Sequence, residues 1–176
     1  MLIFKKIFLV IISTLSLSYA VDDFSSERLL GIEVGYTTVN STNEIGFNKT
    51  SNNVEFGIKI GAQNEEWRTT IHANFMKAQG RDYQKIMLDF DRFVWASLYK
   101  TDNIILKPYL GAHVGWLRYT DDIALSDNGL AYGGQMGLAL TVLNEIDFDL
   151  GYKYTVADII GVDDIGSLTF GVNYIY

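Results

Sequence analysis

Three pairs of carboxylates in this 176-residue sequence have the residue types and spacing for chemistry: Asp89/Asp91, Asp147/Asp149 and Asp163/Asp164. Two acids within reach of one another equip a hydrolase or help to build a calcium site. A spacing of two puts Asp89 beside Asp91, and Asp147 beside Asp149, on one face of an extended chain. Asp163 and Asp164 are adjacent in a stretch that reads as a loop. None of the pairs sits in a loop with the ligand spacing of a known calcium site, so a salt-bridged or solvated role is the reading for all three. The two histidines are His72 and His113. A general base must first lie within reach of the group it serves, and both histidines read as satisfied interior side chains. There is no cysteine, hence no disulfide and no Cys/His metal cluster. No catalytic residue, cofactor or metal is therefore expected.

What must position these residues is strand. From Leu29 onward, apolar residues recur at every second position, and no window keeps helical spacing for three turns. Leu30, Ile32, Val34 and Tyr36 alternate with Gly31, Glu33, Gly35 and Thr37. Val54, Phe56, Ile58 and Ile60 alternate with Glu55, Gly57, Lys59 and Gly61. Ile146, Phe148, Leu150, Tyr152 and Tyr154 alternate with Asp147, Asp149, Gly151, Lys153 and Thr155. Eight such strands are expected, giving an all-β, antiparallel, up-and-down barrel. Parity blurs at Arg92 and Phe93, where a bulge or a membrane boundary is expected. The polar face gathers Glu33, Glu55, Lys59, Arg68, His72, Asp89, Asp91, His113, Gln135, Asp147, Asp149 and Lys153, with Lys107 beside them. Short connections at residues 63–66, 100–103 and 143–145 alternate with longer polar ones at 40–52, 77–84, 118–128 and 156–164. With an even number of strands, that alternation puts both termini on the short-turn side.

The chain begins with Lys5 and Lys6, then an apolar stretch from Ile7 to about Leu17, then Ser18, Tyr19 and Ala20. This reads as a secretory signal peptide, residues 1–20, cleaved after Ala20, followed by one domain over residues 21–176. Removing Lys5 and Lys6 from 14 basic residues leaves 12 against 21 acidic, a net charge of −9. Such a chain is a poor candidate for nucleic acid.

Alternation alone does not say which face is inside. A lipocalin-like carrier encloses its apolar face, and a membrane barrel turns that face to lipid. Glycines decide for lipid: Gly35, Gly57, Gly111, Gly115, Gly137 and Gly171 would weaken a soluble exterior but leave room for long polar neighbours inside a narrow barrel. Aromatics agree. Tyr36, Trp116, Tyr132 and Tyr154 fall near the long-connection ends of their strands, and Trp67, Trp95, Tyr174 and Tyr176 near the short-turn ends, forming two girdles.

The closing stretch LTFGVNYIY, with Leu168, Phe170, Val172, Tyr174 and Tyr176 at period two, and the strand KPYLGAHVGW resemble the small eight-stranded outer-membrane barrels of the OmpA/OmpX type. The resemblance implies outer-membrane localisation and a lipid-bilayer environment. It also implies that the C-terminal strand is read by the barrel-assembly machinery. Some barrels of this architecture modify lipid A with Ser and His near the outer rim, but neither histidine here has a serine two residues away. The expected function is an integral outer-membrane barrel with a structural or surface-interaction role and a polar, plugged lumen. A small cation-preferring porin is the rival, because the polar face has more acids than bases. A soluble lipocalin-like carrier is a third reading. Ile45 and Phe47, in the first long connection, are candidate surface anchors for a ligand that the sequence does not identify.

Overall fold

Period-two alternation becomes strand throughout the computed structural model, which describes residues 26–42, 48–78, 81–95, 97–121, 126–159 and 162–176. Eight long strands form: β1 (Glu27–Thr42), β2 (Asn48–Gln63), β3 (Trp67–Ala78), β4 (Arg81–Phe93), β6 (Ile104–Asp121), β7 (Ser126–Val142), β8 (Ile146–Ile159) and β9 (Val162–Ile175). A two-residue strand, β5 (Tyr99–Lys100), folds back on β6. All pairings are antiparallel between sequence neighbours, and β1 with β9 closes the cylinder. Among the described residues there is no helix.

Register fixes the shape. Following paired residues once around, from Leu30 through Ile60, Ile71, Leu88, Val114, Tyr132, Val156 and Asp164, returns to β1 at Asn40, ten residues above the start. Eight strands with a shear of ten tilt by roughly 40°, and the interior is about wide enough for side chains to fill.

Side chains sort cleanly by parity. Among the described residues 34 large apolar side chains are exposed, most of them on the outward strand faces, with Ile32, Phe56 and Ile58 each above 60%. A soluble monomer rarely exposes an apolar surface of that extent. Inward, Glu33, Glu55, Lys59, Arg68 and Asp91 are buried. The outward apolar run on β6 from Leu106 to Trp116 spans eleven residues, about 24 Å of height at this tilt, close to the apolar band of an outer-membrane barrel. Above it the outward residues turn polar at Thr38, Asn52, Lys77, Gln84, Arg118 and Asn128. Below it Arg92 lies 5.1 Å over the Trp67 ring.

The two ends are tied differently. Tyr176 donates to and accepts from Arg28 through the backbone, both at 2.9 Å. That pairing explains a chain that remains regular to its last residue. At the same end, β7 turns into β8 through Leu143, Asn144 and Glu145; Leu143 and Asn144 have positive φ (54° and 60°), and the Glu145 amide donates to the Val142 carbonyl at 3.3 Å, closing a tight turn.

Three expectations are corrected. Of the two alternatives at Arg92 and Phe93 the bulge falls away, because Arg92 faces out, Phe93 faces in and the ladder continues through Phe93↔Tyr109, whereas the edge of the apolar band does lie at Arg92. The irregularity falls between β8 and β9, at Val156 and Ile159. The long polar connections are largely strand, since pairing runs up to Thr42↔Asn48, Ala78↔Arg81 and Thr120↔Ser126. Backbone ladders need no apolar side chains, so polar residues carry the sheet beyond the lipid-facing band. On the other side, the chain between β4 and β6 takes up residues 94–103, which include β5. Residues 1–20 and the proposed anchors Ile45 and Phe47 lie outside the described residues.

Candidate functional site

The polar faces of the eight strands converge on the barrel axis and build two linked nodes with a further cluster above them. The lower node is Arg68 on β3. The guanidinium bonds Asp91 of β4 through Nε at 3.0 Å and a terminal nitrogen at 2.9 Å, and reaches Asp149 at 2.8 Å and Asp147 at 3.5 Å on β8. A planar fork with five donors is the side chain suited to binding three carboxylates at once. The Tyr109 ring lies 4.5 Å from its central carbon, and the Tyr109 hydroxyl donates to Asp149 at 2.7 Å. Gln135 donates to Asp91, and Asn173 donates to Asp147 at 3.3 Å.

A second node lies higher. Lys153 on β8 contacts Glu33 and Asp89, each at 3.3 Å, and Asp89 accepts from His72 Nδ1 at 2.9 Å. Asn74 donates to Glu33 at 2.6 Å. Lys59 bridges the nodes, 3.3 Å from Asp149 and 3.8 Å from Glu33. Higher still, Lys85 pairs with Glu55 at 2.8 Å, Glu55 accepts from Thr37 at 2.9 Å, and Thr37 meets the Ser167 hydroxyl at 2.7 Å. Small residues make the space. A Cβ on Gly171 would sit 2.9 Å from Lys59 Nζ, and one on Gly57 would sit 2.7 Å from Asn74 Nδ2.

The twelve residues read from the sequence as the polar face all point inward, and eleven of them make these polar contacts. His113 stands apart, with Nε2 2.9 Å from Thr155 Oγ1 and Nδ1 unpartnered. That is a hydroxyl beside a base but with no third group to orient the ring, in a site with no open approach. Asp163 is exposed, and Asp164 accepts from Asn40 on the outer surface at 2.9 Å. Among the described residues no group of three His, Cys, Asp or Glu is arranged to hold a metal ion.

Sequence reading missed two features. Lys85 shares parity with Asp89 and Asp91 but, following directly on the 77–84 connection, is absent from the polar face read from the sequence. The other is that the lumen is not polar from end to end. Toward the Thr42 and Asn48 end the inward side chains form an apolar layer, with Val39, Met76, Tyr83, Met87, Leu117, Tyr119, Ala131 and Ile165 all buried. Toward the termini Phe93, Tyr109 and Ala139 pack together, with Leu29 and Ile175 also buried. The cavity between Arg68, Asp89, Gln135 and Lys153 measures about 10 Å³, room for one water. Buried acceptors without a protein partner, Asp89 Oδ1 and Gln135 Oε1, belong to residues that line it.

No protein-family model matches the chain, and no curated protein matches it. Solved structures do. Neisserial surface protein A superposes with a TM-score of 0.64 at 18% identity, over 84% of this chain and 96% of that one. Ail, the attachment invasion locus protein of Yersinia pestis, superposes with a TM-score of 0.50 at 18% identity, over 85% and 99%. The outer membrane enzyme PagL gives 0.48 at 14% identity, over 82% and 97%. At these identities the likeness is one of fold: the chain has the fold of the small eight-stranded outer-membrane β-barrels.

Proposed function

We propose that this protein is an integral outer-membrane barrel whose lumen is closed and whose role, structural or interactive, is exercised at its surface. One observation supports the closure: a charge network around a cavity of about 10 Å³, bounded by buried apolar side chains toward either end. Buried charges are costly unless paired, and here each buried cation meets at least one carboxylate within 3.5 Å. That the similar structures are those of a surface protein and an attachment invasion locus protein supports a role at the rim. Polar strand ends that rise beyond the apolar band supply that rim. Localisation in the outer membrane, export by the N-terminal 20 residues and reading of the C-terminal strand by the assembly machinery belong to the same proposal. So does a non-catalytic role, since both histidines are enclosed.

The porin reading keeps one observation in its favour, six inward acids (Glu33, Glu55, Asp89, Asp91, Asp147, Asp149) against four network cations (Lys59, Arg68, Lys85, Lys153). Planar-bilayer recording of the mature protein separates the two. The closed barrel gives no reproducible current steps. Stable cation-selective steps would overturn closure and install the porin.

A further inference from the structure

Arg92 is a cation at the edge of the apolar band that no carboxylate answers. It faces out from β4, exposed, between Trp67 of β3 and Leu110 of β6, toward the end of the barrel where the termini lie. Among the described residues no acid lies within 4 Å of its guanidinium and no side-chain hydrogen bond holds it. Its contact is an aromatic face, the Trp67 ring at 5.1 Å. At the opposite end of the band the outward Lys77 has Asp82 at 3.5 Å.

The surroundings of Arg92 are apolar and outward. The Trp67 ring tilts against Phe90 with 5.5 Å between centres, so guanidinium, indole and phenyl form one stack on the outer wall. Phe90, Leu110 and Val94 beside it are each about half exposed. A charge at the margin of hydrocarbon is costly to leave unanswered. A guanidinium lying on a ring keeps the edge of its N–H fork open, and that edge grips a phosphate through two parallel bonds. The group that completes this site must therefore be anionic at Arg92 and apolar along Phe90 and Leu110.

We propose that Arg92, Trp67 and Phe90 bind one anionic phospholipid from the leaflet on the terminal side, its phosphodiester on the guanidinium and an acyl chain over Phe90 and Leu110. The inference rests on the membrane reading above. Charge selects the lipid: with no carboxylate beside Arg92, the ammonium of a zwitterionic headgroup has no acceptor there and meets a like charge. Trp67 holds the fork in place through the cation–π contact.

The test uses the full mature chain inserted in vesicles of equal phosphatidylglycerol and phosphatidylethanolamine, extracted into mild detergent and weighed by native mass spectrometry. One retained phosphatidylglycerol per barrel is expected, in excess over phosphatidylethanolamine. Arg92→Gln lowers that adduct about tenfold, the scale of one charge-assisted hydrogen bond. Trp67→Leu, which keeps the charge but removes the ring, lowers it about threefold. Arg28→Gln, which removes an exposed cation of β1 at the same end, leaves it unchanged, and circular dichroism confirms that all variants keep their strand content. No adduct, an equal phosphatidylethanolamine adduct, indifference to Arg92→Gln or Trp67→Leu, or an equal loss with Arg28→Gln would overturn the site. Failure of the membrane reading looks different, since the protein would then not insert into the vesicles at all, and the site would fall with it.

Discussion

Replacing Arg68 with Met probes the network at its most connected point. The side chain is about 3% exposed and touches Asp91, Asp147 and Asp149 between 2.8 and 3.5 Å. Methionine fills similar volume but leaves three buried carboxylates short of a cation. Asp149 keeps Lys59 at 3.3 Å and Tyr109 at 2.7 Å, so the loss falls mainly on Asp91 and Asp147. Breaking a buried ion pair from one side costs about 3–5 kcal/mol. With a urea slope of roughly 2 kcal/mol per molar for a domain of this size, the unfolding midpoint in lipid vesicles drops by about 2 M. Adding Asp91→Asn and Asp147→Asn to Arg68→Met recovers more than half of that, because the stranded charges are gone. A drop below about 0.5 M, or no recovery in the triple variant, would refute a charge network that holds the barrel from within.

Three further outcomes follow from the same geometry. Ile58→Arg, outward and near mid-height of the band, costs about 2–4 kcal/mol in vesicle unfolding, whereas Asn52→Arg, outward and above the band, costs about nothing; equal costs would mean that the outer face does not meet hydrocarbon. Gly151→Ala puts a Cβ against Tyr109 Oη, with the nearest backbone atom, Met136 O, at 3.2 Å, displaces the hydroxyl from Asp149 and costs about 1–3 kcal/mol; Tyr109→Phe should then be less than additive with it, and full additivity would sever the link. Deleting Tyr176 removes its two backbone bonds to Arg28 and slows assembly in cells more than folding into vesicles. Equal slowing in both would count against recognition of the C-terminal strand.

How much of this was legible in the sequence follows from what parity can carry. Alternation of Ile146 to Tyr154 with Asp147 to Thr155 gave strand, face and neighbour at once, because a one-residue slip would turn every charge into lipid. Glycine among long polar residues gave the narrow interior, and the structure fits Lys59 against Gly171 accordingly. Parity was silent where composition changed but geometry did not. Residues 40–52 read as a loop because Asn, Ser and Thr predominate, yet the ladder runs on to Thr42↔Asn48. Taking strand ends for loops also hid Tyr83 and Tyr119 of the apolar layer. Which carboxylate each cation reaches depends on shear, which no single strand encodes. The halt of β2–β3 pairing at Glu55↔Met76 likewise reflects two hairpins of unequal height.

Flotation tests the central claim most directly. The mature protein, diluted from denaturant into lipid vesicles, should float with them on a density gradient, resist alkaline extraction, and gain strand content only when lipid or detergent is present. Recovery of a monomeric, strand-rich protein from detergent-free buffer would contradict the account, because the 34 exposed apolar residues would then have no hydrocarbon to meet.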